Sequence, residues 1–181
     1  MSQITFPDPE WANEDGLLAF GGNLEPDTLL LAYSSGIFPW SVRPITWWSP
    51  DPRAVFELSR FRLSRRMARL YRSGRFSFSI NRNFVEVMRG CARSAPGRET
   101  TWISQEFIDA YTRLHELGHA HSIEVYLDNR LAGGIYGVAI GGFFAGESMY
   151  SACSNASTMG LMFLIDHLRR LQQQRRCHRV M

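Results

Sequence analysis

His115 and His119 frame the pentapeptide HELGH. Its spelling, H-E-x-x-H, is that of a zinc hydrolase helix, where two histidines one turn apart hold the metal and the glutamate activates water. A third ligand is required. The commonest continuation would put a histidine six residues past His119, where this chain has Val125. The next histidine, His121, is two residues on, at the start of HSIEVYL, which alternates as a strand does. Gly118 marks the helix end, so His119 and His121 leave the helical face. The residues fit a helix C-terminus, whose carbonyls favour nearby histidines. No metal is expected.

A different chemistry is suggested by GIFPWSVRPITWWSPDPR, residues 36–53, which carries three of the five tryptophans: Trp40, Trp47 and Trp48. Pro39, Pro44, Pro50 and Pro52 argue against a helix or a central strand and for a rigid loop. Flat aromatics on a rigid support can hold nucleobases, at ~1–3 kcal/mol per stacked base. Beyond the loop lies SRFRLSRRMARLYRSG. As a helix capped by Ser59 it gathers Arg62, Arg65, Arg66, Arg69 and Arg72 on one face, opposite Leu63, Met67 and Leu70. Eight arginines fall between Arg53 and Arg75, while the first 42 residues have none. Such a face suits phosphates. The same residues also fit a small domain packed by its tryptophans, with a solvated basic surface, and composition does not choose between the two. Trp102, in the polar stretch GRETTWISQ, has no evident core partner. Glu147 stands in FFAGESMYS among Phe143, Phe144, Met149 and Tyr150, an apolar setting that is unfavourable for a carboxylate unless it is paired.

The elements that must position these groups read as follows. LEPDTLLLAYSSG is a short helix opened by Pro26 and stopped by Gly36. RFSFSIN is a strand. SQEFIDAYTRLHELG is the clearest helix, capped by Ser104, with Phe107, Ile108, Tyr111 and Leu114 at helical spacing. A β-meander follows, turning at Asp128-Asn129-Arg130, and SNASTMGLMFLIDHLRRLQQQ is the last helix. The class is α+β: a small Pro/Trp-rich N-terminal domain, residues 1–53, and a larger domain, residues 54–181. At 181 residues, 45% hydrophobic and 20% charged, the chain reads as soluble and globular. No apolar run has the length of a membrane span, and MSQITFPDPEWANEDG lacks the pattern of a secretory signal. Three cysteines, Cys91, Cys153 and Cys177, point to reduced thiols and a cytoplasmic location.

Five blocks in order, GLLAFGGNL, AYSSGIFPW, WWSPDPRAV, TWISQEFIDAYTRLHELGHAHSIEV and GGIYGVAIGGFFAGESMYS with NAS after it, together resemble the bacterial leucyl/phenylalanyl-tRNA–protein transferase family from about Asp15 to Leu168. The resemblance implies transfer of Leu or Phe, with Met a further candidate, from aminoacyl-tRNA to the N-terminal Arg or Lys of acceptor proteins, marking them for N-end rule degradation. It implies a GNAT-like (acyl-CoA N-acyltransferase-like) larger domain that needs no acetyl-CoA and no other cofactor. It also implies site residues. Trp40 and Trp102 sandwich the tRNA 3′ adenosine, with Tyr33 and Tyr111 nearby. Glu147 recognises the cationic acceptor N-terminus and is the candidate catalytic residue. Phe144, Met149, Leu164 and Leu168 line an aminoacyl pocket. Arg65, Arg69 and Arg72 meet the tRNA backbone. Trp47 and Trp48 are assigned to packing. The expected partners are aminoacyl-tRNA and acceptor proteins, with no membrane, and the expected state is a monomer.

The family's Asp-x-Gln motif, placed on a strand after the last helix, has no match in RRLQQQRRCHRVM. Simple alignment puts Cys177 and Arg179 there, or else RVM begins that strand. The larger domain is therefore expected to be C-terminally incomplete, with a weakened fold and doubtful activity in the 181-residue form. Two other functions fit parts of the pattern. A GNAT-like acetyltransferase would need a glycine-rich pyrophosphate turn, which ESMYSACSNAS lacks. A non-catalytic RNA-binding module would need only the tryptophans and arginines.

Overall fold

The structure is a computed structural model that describes residues 4–94 and 100–177. A 3-10 turn at Pro9–Trp11 precedes β1 (Leu17–Phe20), α1 (Pro26–Ser34), β2 (Phe38–Val42) and β3 (Ile45–Trp48). Then come α2 (Arg65–Arg72), β4 (Ser77–Ile80), α3 (Phe84–Ala92), α4 (Gln105–Glu116), β5 (Ala120–Leu127), β6 (Arg130–Ile140), β7 (Phe143–Ser151) and α5 (Ala156–Cys177). The fold is α+β. One sheet has the order β1-β3-β2 and the other the order β4-β5-β6-β7. The chain forms two compact units, one of Met1–Arg53, Ala92–His121 and Gly137–Glu147, the other of Ala54–Cys91, Ser122–Tyr136 and Ser148–Met181. The expectations for Arg179 and RVM fall outside the described residues, as does the side chain of Cys177.

In the first unit the tryptophan stretch is a hairpin, which corrects the expectation of a loop without a central strand. β3 contains no proline and lies between β1 and β2. Pro39 sits on the edge strand β2, where a missing N–H is tolerated, and Pro44 occupies the turn. The register shifts between Pro39 and Ser41, which face Trp47 and Thr46, so Trp40 is the extra residue of a β-bulge. Trp47 points the other way into the core, only 2% exposed. Its Nε1–H donates to the Gly21 carbonyl at 2.8 Å and its ring meets the edge of Phe6 at 4.8 Å. Trp48 is half-buried and donates to Thr46 Oγ1 at 2.9 Å. α1 packs against α4, burying Leu29, Ala32, Tyr33, Phe107, Tyr111 and Leu114. Ser104 caps α4 by accepting from the Phe107 N–H, and Gly118, at φ +83°, ends it.

The second unit centres on Phe76, Val125, Ala132, Ala156, Met159 and Met162, with Met67, Leu70 and Tyr71 of α2 packed against them. α2 starts later than its sequence suggests. Its cap is Ser64, whose Oγ accepts from the Met67 N–H, and not Ser59, so Arg62 precedes the helix. Ahead of the helix the guanidinium of Arg169 donates to the carbonyls of Leu58 and Phe61. β4 runs antiparallel to β5 with Ser77 opposite Tyr126 and Ile80 opposite Ile123. Asp128 and Asn129, both at positive φ, make the two-residue turn into β6. Among the described residues no helix is long and apolar enough to cross a membrane.

Candidate functional site

The first unit contains a cleft of about 490 Å³. One wall is the hairpin, with Trp40, Ser41 and Arg43; the other is the entry to α4, with Trp102, Ser104 and Glu106. The bulge at Trp40 turns this indole outward, leaving it 48% exposed while its ring edge rests on Trp48, centroids 5.1 Å apart. Trp102, half-buried, is braced edge-on by Phe107, whose ring sits in the first turn of α4 at 5.2 Å. Both tryptophans therefore line one opening and are held by aromatic neighbours. Two braced indoles in a common cleft can take a planar heterocycle without first ordering their own side chains.

Arg43 bridges the walls by an ion pair with Glu106. Neither residue was marked by the sequence reading. Glu106 lies in the first turn of α4, and its carboxyl is lowered to about 2 by its own backbone N–H, by Ser104 and by Arg43. It stays anionic at any physiological pH, as helix N-termini favour.

A second group lies in the same unit. Tyr33, in the last turn of α1, and Tyr111, on α4, are buried, with their hydroxyl oxygens 2.5 Å apart and their rings edge-to-face at 6.4 Å. The Tyr33 hydroxyl also hydrogen-bonds the carboxyl of Glu147 on β7. Burial raises Glu147 to about 7, against the opposing pull of the Tyr33 bond and of the Arg53 charge. Arg53 is the smallest of these influences; its guanidinium donates to the Gly36 carbonyl at 2.6 Å and lies 4.8 Å over the Phe38 ring. Tyr33 and Tyr111 are each raised well above the usual phenol value, chiefly by burial and next by the Glu147 charge. They remain neutral donors throughout the physiological range. The result is a carboxyl poised near neutrality, which can pair an arriving cation or exchange a proton.

Phe144 is half-buried on β7 in this unit, its ring fitted against Gly137, where a Cβ would come within 2.6 Å of it. The other three residues expected around the aminoacyl group belong to the second unit. Met149 is 44% exposed on β7; Leu164 is buried and Leu168 half-buried, one turn apart on α5. Arg65, Arg69 and Arg72 are exposed on α2, opposite its packed face, and among the described residues none of them takes an ion-pair partner.

HELGH ends as its glycine suggested. α4 stops at Glu116, the His119 N–H closes back on the Leu114 carbonyl at 3.0 Å, and His115 Nδ1 lies 2.8 Å from the Ala120 carbonyl. The sequence reading missed a second acidic residue, Glu124, fully buried on β5. It accepts from Ser79 Oγ, from Ser122 Oγ at 2.6 Å and from the Arg82 and Asn83 N–H groups at 3.3 Å, just ahead of α3. Its one sequence signal was a carboxylate between Ile123 and Val125 in a strand. Glu124 has four donors where Glu147 has the Tyr33 hydroxyl, so Glu124 is a finished structural bond.

The chain matches the family model described as leucyl/phenylalanyl-tRNA protein transferase over residues 55–176, and the model of that enzyme's N-terminal domain over residues 22–51. Curated relatives named leucyl/phenylalanyl-tRNA–protein transferase include one from Anaeromyxobacter sp. (strain Fw109-5), 50% identical over 93% of this chain and 73% of its own. Another, from Shewanella piezotolerans, is 51% identical over 93% of this chain and 73% of its own. A third, from Thermodesulfovibrio yellowstonii, is 46% identical over 92% of this chain and 69% of its own.

Proposed function

The chain belongs to the leucyl/phenylalanyl-tRNA–protein transferase family, and on that premise we propose that it moves Leu or Phe, with Met a further candidate, from aminoacyl-tRNA to the N-terminal Arg or Lys of acceptor proteins. The observation that carries this reading is Glu147, a carboxyl raised to about 7 beside Tyr33 and Tyr111, in the unit that also holds the Trp40–Trp102 cleft. In this reading the 3′ adenosine stacks between the two indoles. The acceptor's cationic side chain supplies a charged partner to the Glu147 carboxylate. A neutral N-terminal residue leaves that charge desolvated and unpaired, which is a strong basis for discrimination.

The reaction needs no ATP, because the aminoacyl ester is already activated. The acceptor's α-amine attacks the ester carbonyl carbon, a C–N bond forms, the C–O bond breaks, and the ribose oxygen leaves with a proton lost by the amine. Holding amine and ester together supplies much of the rate. Phe144, Met149, Leu164 and Leu168 are the proposed lining for the Leu or Phe side chain, and Arg65, Arg69 and Arg72 the contacts to the tRNA backbone. The 1–53 and 54–181 domains, a GNAT-like larger domain, a monomeric state and a cytoplasmic location complete the reading.

The test is to mix the 181-residue chain with tRNA carrying labelled Phe and with peptides starting in Arg or Ala. The expected result is label in the Arg peptide and none in the Ala peptide. Label that stays on bound tRNA would instead make the chain an RNA-binding module. Acetyl transfer from acetyl-CoA to the peptide would make it an acetyltransferase.

A further inference from the structure

Stacking between Trp40 and Trp102 accounts for a base but leaves the backbone phosphate of the same nucleotide unanswered. Arg43 is the one cation among the described residues that line the cleft. It stands at the hairpin tip, three residues past Trp40, and its side chain is 84% exposed. Its partner Glu106 is four residues past Trp102, on the opposite wall. The charge thus sits on the exposed rim of the cleft.

We propose that Arg43 is a phosphate arm, parked on Glu106 until a nucleotide enters and then moved onto the phosphodiester on the 5′ side of the base held by Trp40 and Trp102. This rests on the adenosine reading of the cleft and adds to it a residue that selects a tRNA end over a bare nucleoside. Three features make the exchange cheap. An ion pair this exposed gains little from its own attraction. Glu106 keeps other donors when Arg43 leaves, namely its own backbone N–H and Ser104 at the start of α4. A guanidinium fork matches phosphate oxygens as well as it matches a carboxylate. The competing role is a bolt that simply fixes the two walls, and it makes a different prediction. A bolt affects every ligand of the cleft alike, whereas an arm affects only those that carry the phosphate.

The experiment measures binding of two probes to the full chain. Puromycin is an aminoacyl-adenosine mimic with a free 5′-hydroxyl; cytidylyl-puromycin adds the 5′ phosphodiester. Arg43→Gln should weaken cytidylyl-puromycin about tenfold and leave puromycin within about twofold. Glu106→Gln, which releases the arm, should tighten cytidylyl-puromycin and not puromycin. In the parent the salt slope for cytidylyl-puromycin should exceed that for puromycin by about one, and Arg43→Gln should erase the difference. Equal weakening of both probes by Arg43→Gln would establish the bolt and overturn the arm. Unchanged binding of both would also overturn it, while leaving the adenosine site standing. If the parent binds neither probe, the adenosine reading itself falls and takes the arm with it.

Discussion

The hydroxyl of Tyr33 lies 2.5 Å from that of Tyr111 and also bonds the carboxyl of Glu147. A hydroxyl has one proton, so when Tyr33 donates to the Glu147 carboxylate it accepts from Tyr111, and the three groups act as one chain. Removing the middle member has a definite sign. Tyr33 stabilises the charged form of Glu147, so Tyr33→Phe should raise the Glu147 carboxyl above about 7. NMR titration of the labelled carboxyl carbon reads this directly. An unchanged or lowered value would mean that the Tyr33 proton is directed elsewhere.

Glu147 also ties stability to pH. Its folded value, about 7, is above its ordinary value of 4.5. Its proton is therefore bound more tightly in the folded chain. Below about pH 4.5 both states hold the proton and its desolvation is unopposed; the benefit is lost as pH rises through 7 and the half-buried group ionises. At about 1.4 kcal/mol for each pH unit between the two values, the loss is roughly 3 kcal/mol. Urea midpoints for Glu147→Gln should fall less than the parent's between pH 5 and pH 8. Parallel curves would show that the folded carboxyl titrates normally.

Trp40→Ala and Trp102→Ala should each weaken puromycin by ~1–3 kcal/mol. Both indoles stand in the cleft wall and neither fills the core, so the variants should keep near-parental melting temperatures. Trp47→Ala is the contrast: its ring is buried, and its loss should cost ~3–5 kcal/mol of stability. Normal puromycin binding by both cleft variants would dispose of the sandwich.

How far the sequence carried this site depends on where each instruction is written. Ser104 and Gly118 spell the two ends of α4 locally, and a local signal can be read. The bulge that turns Trp40 out while Trp47 turns in depends on pairing with β3 across the two-residue turn, and no single stretch announces it. The prolines were misleading for the same reason: whether Pro39 is tolerated depends on β2 lying at an edge. α2 could begin at either of two serines, and Arg169, more than 100 residues on, bonds the Phe61 carbonyl between them. Glu124 and Glu147 look alike as carboxylates in apolar strands. Only the donors gathered from Ser79, Arg82 and Asn83 distinguish them.

Arg65→Ala and Arg69→Ala, on the exposed face of α2, should weaken tRNA binding irrespective of its sequence. Each should lower the salt slope by about one at most, the share of a single phosphate contact. Because Met67, Leu70 and Tyr71 do the packing, neither change should move the melting temperature appreciably. A slope identical to the parent's would return these arginines to the solvated surface.

The assignment of Glu147 to the acceptor is tested most directly by its own isostere. Glu147→Gln keeps shape and hydrogen bonding but cannot carry charge, so it should fold and bind tRNA carrying Phe as the parent does. Transfer of labelled Phe is then measured to peptides identical except for an N-terminal Arg, Lys or Ala. The parent should label the Arg and Lys peptides, and Glu147→Gln should lose most of that transfer together with the preference over Ala. If the variant labels Arg and Lys peptides as fast as the parent and with the same preference, Glu147 is structural and the acceptor lies elsewhere.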